Sequence, residues 1–205
     1  DGTRSKIYVD GVEKQIIGTG GRAISSRKMD LGSFVLGGNQ CAPYKGYLRN
    51  VKIYNRLLTR TEIYSSSSGA TPIANEVSHW TFDEGYGGTA NDYLDSNPGT
   101  LINAQWAGGK SGQAVSLTGN GYVNVPSSAS LNTQSAFTLS AWIYDTDAAD
   151  GVDDDRVIMT KGDNGISGVP RPSLGPWSFG DQFAFYYLTL VTFLLAFGLM
   201  LLIVR

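Results

Sequence analysis

The sequence predicts a mainly β chain, an antiparallel sandwich made of incomplete modules, with a single apolar helix towards its C-terminal end. Three observations carry this. Short runs alternate apolar and polar residues, as strands buried on one face do. A total of 26 glycines, with dense Gly/Pro/Asn/Asp clusters, separates those runs. Residues 183–204 then form a stretch of 22 without one charge. A composition of 41% hydrophobic and 17% charged residues is that of a turn-rich folded domain and excludes a disordered chain.

The elements follow in order. Residues 6–10 (KIYVD) alternate, Asp10-Gly11 supplies a turn tolerant of positive φ, and residues 12–17 return with Val12, Ile16 and Ile17, which predicts a β-hairpin. Residues 34–36 form a short strand ending at Gly37-Gly38. Residues 47–54 (YLRNVKIY) place Val51 and Ile53 on one face, as a half-buried strand requires. Thr59 and Glu62 fit the S/T-x-x-E capping box, so one short helical turn is expected after that strand. Ser65 to Ser68, Gly69 and Pro72 then read as a linker over residues 65–75. From Val77 the alternation resumes, with Trp80 and Phe82 set to face a core. Residues 95–99 (DSNPG) are a turn cluster, and residues 101–102, 114–117, 122–125, 137–144 and 157–160 are further strand candidates.

The net charge of −2 conceals an asymmetry: residues 1–64 carry 11 Lys/Arg against 5 Asp/Glu, whereas residues 65–165 carry 3 against 12. Two readings remain open, separate surface charge on two modules or mutual attraction of a +6 half and a −9 half. The basic residues form no cluster and no aromatic platform, which argues against nucleic acid. Cys41 is the sole cysteine, so an internal disulfide and a cysteine-built metal site are excluded. The chain opens on Asp1 without a leader and stops at Arg205, and both ends read as cut.

Several words of the sequence resemble the LamG-like jelly-roll family, relatives of concanavalin A and laminin G domains. HWTFDEGYGGTANDYLDSNPGTLIN, GKSGQAVSLTGNGYVNVPSS, FTLSAWIY and RVIMTKGD match the family's opening part, in residues 76–163. KIYVDGVEK, FVLGG and GYLRNVKIYNRLLTRTEI match its closing part, in residues 1–64. An ending thus precedes a beginning, and the middle strands are missing. The resemblance implies an antiparallel jelly-roll sandwich. It further implies a non-catalytic extracellular or periplasmic module for a glycan or protein ligand. The closing strands of the first stretch are placed to dock on the opening strands of the second, as in a circular permutant.

The candidate sites are few. Asp145, Asp147, Asp150 and Asp153 belong to an 11-residue acid-rich stretch that reads either as a Ca²⁺ loop or as a solvated hairpin. The EF-hand template fails there, because Gly151 stands seventh instead of sixth and Arg156 occupies the twelfth place. Jelly rolls of this family often hold calcium at a loop edge, but Arg49 stands where the family commonly has an Asp. Ca²⁺ is the one cofactor considered. Asp83 and Glu84 beside His79 and Trp80 evoke a glycosidase pair, yet adjacent strand residues point to opposite faces. The E-x-D-x-x-E signature of the glucanase branch is absent, and no catalytic residue is assigned. Trp80, Trp106, Trp142 and Tyr122 serve either as core or as sugar-stacking surface. Gly18 to Ala23 matches G-x-G-x-x-A in letters only, and Gly109-Lys110-Ser111 lacks the earlier glycine, Ala104 standing in its place.

At about 1.5 Å per residue the run 183–204 spans ~33 Å as a helix, enough to cross a bilayer core of ~30 Å. The expected span begins at the aromatic belt of Phe183, Tyr186 and Tyr187 and ends at Val204, with residues 1–182 outside. Residues 164–182 form the Gly/Pro-rich loop before it. GDNGISGVPRPSLGPWSFGDQFAFYYLTLVTFLLAFGLMLLIVR is similar to the permease subunit of branched-chain amino acid ABC transporters, which implies transporter partners if that reading holds. The two resemblances overlap at Gly162 to Gly165, where a join between two genes is expected.

Overall fold

A computed structural model describes residues 4–18, 29–32, 34–36, 39–41, 44–68, 73–132, 136–146, 156–161, 183–187 and 199–204. In chain order the elements of the first half are strands β1 (Arg4–Val9), β2 (Val12–Gly18), β3 (Met29–Leu31), β4 (Phe34–Leu36), β5 (Asn39–Cys41) and β6 (Lys45–Tyr54), then helix α1 (Arg60–Ser68). The second half continues with β7 (Glu76–Trp80), β8 (Thr89–Ala90), β9 (Gly99–Ile102), β10 (Gln105–Gly108), β11 (Gln113–Thr118) and β12 (Tyr122–Val125). After a 3-10 turn at Ala129–Leu131 come β13 (Thr138–Asp145), β14 (Arg156–Lys161), β15 (Phe183–Tyr187) and β16 (Leu199–Val204).

The described strands form two large antiparallel sheets and one separate two-stranded pair. The first sheet runs β10-β11-β6-β13-β16-β1-β2, with β7 also on β6; the second runs β15-β14-β3-β12-β9-β8; β4 pairs with β5 alone. One buried apolar cluster joins both large sheets, so the architecture is sandwich-like. Leu48, Val51, Leu117 and Ile143 come to it from the first sheet, and Leu31, Val123 and Ile158 from the second. Trp80 and Phe82 lie in this core fully buried, as their alternation predicts.

Strand β6 is the axis of the first sheet. Its whole length pairs with β13 on one edge. On the other edge β11 covers residues 45–48 and β7 covers residues 51–54, so the two lie end to end. At the junction Asn50 takes a φ of 48° and donates its N–H to the Thr81 carbonyl at 3.3 Å. This bulge inserts one residue opposite Ala141, between the pairs Lys52–Ser140 and Arg49–Trp142. Its effect is to turn both Leu48 and Val51 inward, although three residues along a regular strand reverse the face.

The two halves of the chain interleave. Strand β6 from the first half pairs with β7, β11 and β13 from the second, and β3 pairs with β12 and β14. The two stretches thus dock on one another, as the sequence led one to expect. The charge asymmetry has a counterpart at the seam, where Arg49 meets Asp83 at 2.8 Å and Lys52 meets Glu76 at 2.7 Å, each cation from the first half and each anion from the second.

Helix α1 begins at the capping box. The Thr59 N–H donates to Glu62 at 2.8 Å and the Glu62 N–H donates to Thr59 Oγ1 at 3.3 Å. The helix runs on through Ser68 and so occupies the start of the stretch read as linker. Ile63 packs with Leu58, Ile73, Tyr54 and Tyr8, with Trp142 against them, over the outer side of the first sheet.

The membrane-spanning helix expected over residues 183–204 is not observed. Phe183–Tyr187 and Leu199–Val204 are strands β15 and β16, paired with β14 and with β1 and β13, while residues 188–198 lie outside the described residues. Among the described residues no helix is long and apolar enough to cross a membrane. The physical reason is that an unbroken apolar run has no period, and hydropathy alone does not separate a helix from buried strands. Here strands β1 and β13 offer ladder groups to the same apolar residues.

Candidate functional site

One polar cluster lies on the outer face of the β6–β7 pair. Lys52 Nζ donates to Glu76 Oε1 at 2.7 Å, the Tyr54 hydroxyl donates to the same oxygen at 3.2 Å, and His79 Nδ1 lies 3.3 Å from Glu76 Oε2. The other ring nitrogen of His79 lies 3.2 Å from Asn50 Oδ1, and the ring tilts against Tyr93 with centroids 5.7 Å apart. Glu76 and His79 are three residues apart and belong on opposite faces of a regular strand. A bulge between the pairs Ile53–Ser78 and Tyr54–Glu76 brings them to one side.

The electrostatics follow from burial and partners. Burial acts to raise the Glu76 carboxyl, but hydrogen bonds from His79 and Lys52, with the charges of both, hold it down at about 2. Burial and then the Glu76 charge push the Tyr54 phenol far up. The result is a fixed carboxylate already engaged by three neighbours, which clamps the two halves together. On β14, burial lowers the Lys161 ammonium.

A second cluster sits where the loop after β7 meets the turn between β10 and β11. Asp83 accepts from Arg49 at 2.8 Å and from the Gln113 N–H at 2.8 Å. Glu84 accepts from the Asn91 N–H. The two carboxylates offered by the sequence as an acid/base pair thus each hold a neighbouring backbone N–H. A Cβ on Gly112, where φ is 75°, would overlap Asp83 and crowd the Arg49 guanidinium, so this contact requires glycine.

A third, buried knot stabilises the 95–99 turn. Asp92 accepts from the backbone N–H groups of His79, Leu94 and Asn97 at 2.8, 3.1 and 3.0 Å. The Asn97 side-chain amide donates to Ser78 Oγ at 2.6 Å and Ser130 Oγ at 3.0 Å, and the Asn97 backbone carbonyl accepts the Trp80 indole N–H at 2.8 Å. Every polar group named here has an internal partner, which is why Trp80 sits in the core without an unsatisfied indole.

The other aromatic candidates divide. Trp106 is half-buried, tilts against Phe82 with centroids 6.5 Å apart, and donates its indole N–H to the Gly87 carbonyl at 2.8 Å. Trp142 is half-buried beneath the α1 cluster, and Tyr122 is half-buried on β12. Tyr86 and Tyr93 are the prominent exposed rings, at 81% and 74% exposure. Tyr86 lies in the 85–88 loop, which Trp106 anchors through Gly87 and which rests on Gln113 beneath Gly85. This loop edge combines an exposed aromatic ring with a half-buried one and with the polar groups of Asp83, Gln113 and Asn91.

Of the calcium candidates, Asp145 is half-buried at the end of β13, in register with Gly46. Asp147, Asp150 and Asp153 lie outside the described residues. Among the described residues no group of three metal-ligating side chains converges. Phe183, Tyr186 and Tyr187 stand on β15 and Val204 on β16. Sequence reasoning missed the Glu76–Lys52 clamp, the Asn97 knot and the Tyr86 edge. The DSNPG turn cluster marked the position of Asn97, whereas the clamp depends on a bulge with no sequence signature. Comparison of the chain with protein-family models, curated proteins and solved structures finds no match.

Proposed function

We propose that the chain is a non-catalytic binding module of jelly-roll type, acting outside the cytoplasm, whose ligand is a glycan held at the 85–88 loop edge. One observation carries the reading: Asp83 and Glu84 hold Arg49 and backbone N–H groups, while Tyr86 stands 81% exposed on a loop anchored by Trp106. A carboxylate engaged in this way is poorly placed to give or take a proton from a sugar oxygen. An exposed aromatic ring on a glycine-flexed loop, by contrast, offers the flat apolar face of a sugar a partner, with hydrogen-bonding groups beside it.

The test is a glycan array on the full chain, followed by calorimetry on the best ligand. Tyr86→Ala is expected to weaken binding about tenfold or more, equivalent to ~1.4 kcal/mol, with the melting temperature unchanged. Hydrolysis of the bound glycan, or binding indifferent to Tyr86, overturns the reading.

A further inference from the structure

We propose that two copies of this chain exchange their halves, the strands β3 and β6 of each copy completing the sheets of the other. The reason lies in how the ladders are distributed. Among the described residues, β3 and β6 take every strand partner from residues 76–161 and none from their own half. The local pairings of the first half are the two hairpins β1–β2 and β4–β5. Neither β3 nor β6 is stabilised until a second half arrives, and the second half is left with β12 and β14 apart and β13 open on one edge. The supplying half does not need to belong to the same molecule.

The exchanged dimer keeps each contact of the closed chain, because one covalent connection, from α1 into β7, joins the two sets of strands. Arg49–Asp83, Lys52–Glu76 and the Asn124–Asp30 hydrogen bond at 2.7 Å form equally well between copies. Exchange therefore costs only the association entropy, which concentration offsets. Charge selects the pairing. The first half carries 11 Lys/Arg against 5 Asp/Glu and the second 3 against 12, so unlike halves of two molecules attract and like halves repel. The connection gives an in-chain effective concentration of about millimolar order, so closed monomers dominate in dilute refolding and exchanged dimers accumulate in concentrated refolding. Once formed, a dimer reverts only by unpairing β6 from three strands, so it persists on dilution.

The experiment uses the full chain. The unmodified protein is refolded at about 5 µM, far below the in-chain effective concentration, and at about 500 µM, within a few-fold of it, then diluted and measured by light scattering. A doubled mass retained after dilution of the concentrated sample is expected. In parallel, Tyr47→Cys and Tyr144→Cys are made separately in a Cys41→Ser background, since these residues are direct partners on β6 and β13 with ring centroids 5.9 Å apart. Refolded together and oxidised, they are expected to yield a covalent dimer whose mapped disulfide joins position 47 of one chain to position 144 of the other, a geometry within cross-strand disulfide reach. Mixing the two after separate refolding is expected to yield none. The double variant Tyr47→Cys/Tyr144→Cys, refolded dilute, is expected to close the bond within one chain. A monomeric mass after both refoldings, or a double variant that closes its bond while the mixed variants never do, overturns the proposal. Failure of the double variant to close its bond removes the β6–β13 register on which it rests.

Discussion

Replacing Glu76 by Gln tests whether the β6–β7 seam is held by charge. In the folded chain the hydrogen bonds from His79 and Lys52 overcome burial and hold the carboxyl at about 2, against 4.5 for an ordinary Glu. A group depressed in this way contributes stability that is fully present above the unfolded value and is lost as pH falls through the folded one. The gap corresponds to on the order of 3 kcal/mol at neutral pH. Gln keeps the shape and part of the hydrogen bonding, so the expected loss is ~2 kcal/mol, or about 4–8 °C in melting temperature for a chain of this size. Thermal and urea unfolding are to be followed for both proteins at pH 7, 5, 3.5 and 2.5. The gap is expected to be full at pH 7 and 5, to narrow below pH 4.5, and to close towards pH 2. Lys52→Met combined with Glu76→Gln is expected to cost less than the sum of the single changes, because the two charges meet at 2.7 Å. A gap that stays constant from pH 7 to 2.5, or that is absent at pH 7, refutes the reasoning.

Trp80→Ala removes a fully buried indole and leaves the Asn97 carbonyl without its donor, so a loss of about 3–5 kcal/mol in urea unfolding is expected, with Trp80→Phe intermediate. Gly32 has a φ of 87° and a Cβ there would overlap Leu117 between the sheets. Gly32→Ala is accordingly expected to cost more than ~1 kcal/mol in urea unfolding, because the positive φ strains any side chain there. Thr59→Ala removes the capping oxygen of α1 and is expected to cost about 1 kcal/mol, with helical circular dichroism reduced and the sheet signal intact.

The sequence made local features legible wherever one strand or turn carries its own signal. The Asp10-Gly11 hairpin, the Thr59–Glu62 cap and the inward Trp80 and Phe82 are all observed, since each depends on neighbours within a few residues. Strands β3, β5, β8 and β10 escaped notice. With only two to four residues each, they alternate over too short a distance to show a period, and long-range pairing holds them in place. The candidate site was less legible. Asp83 and Glu84 were visible as an adjacent pair, but their occupation by Arg49, Gln113 and Asn91 comes from residues 7 to 34 positions away.

By itself the sequence determined that this chain is mainly β, that its strands pair antiparallel, and that its two halves carry opposite charge, because strand period, turn chemistry and charge reside in single residues and their near neighbours. Tertiary structure alone decided which strands are neighbours and which face each side chain meets. The period of two predicts faces only while a strand is regular, and the bulges at Asn50 and at Val77 each reverse it. Those reversals turn Leu48 and Val51 together into the core and set Glu76 beside His79 and Lys52. The fate of residues 183–204 was decided in the same way. Their apolar run suits a bilayer or a sheet interior equally, and the open edges of β1, β13 and β14 take up its two ends as strands.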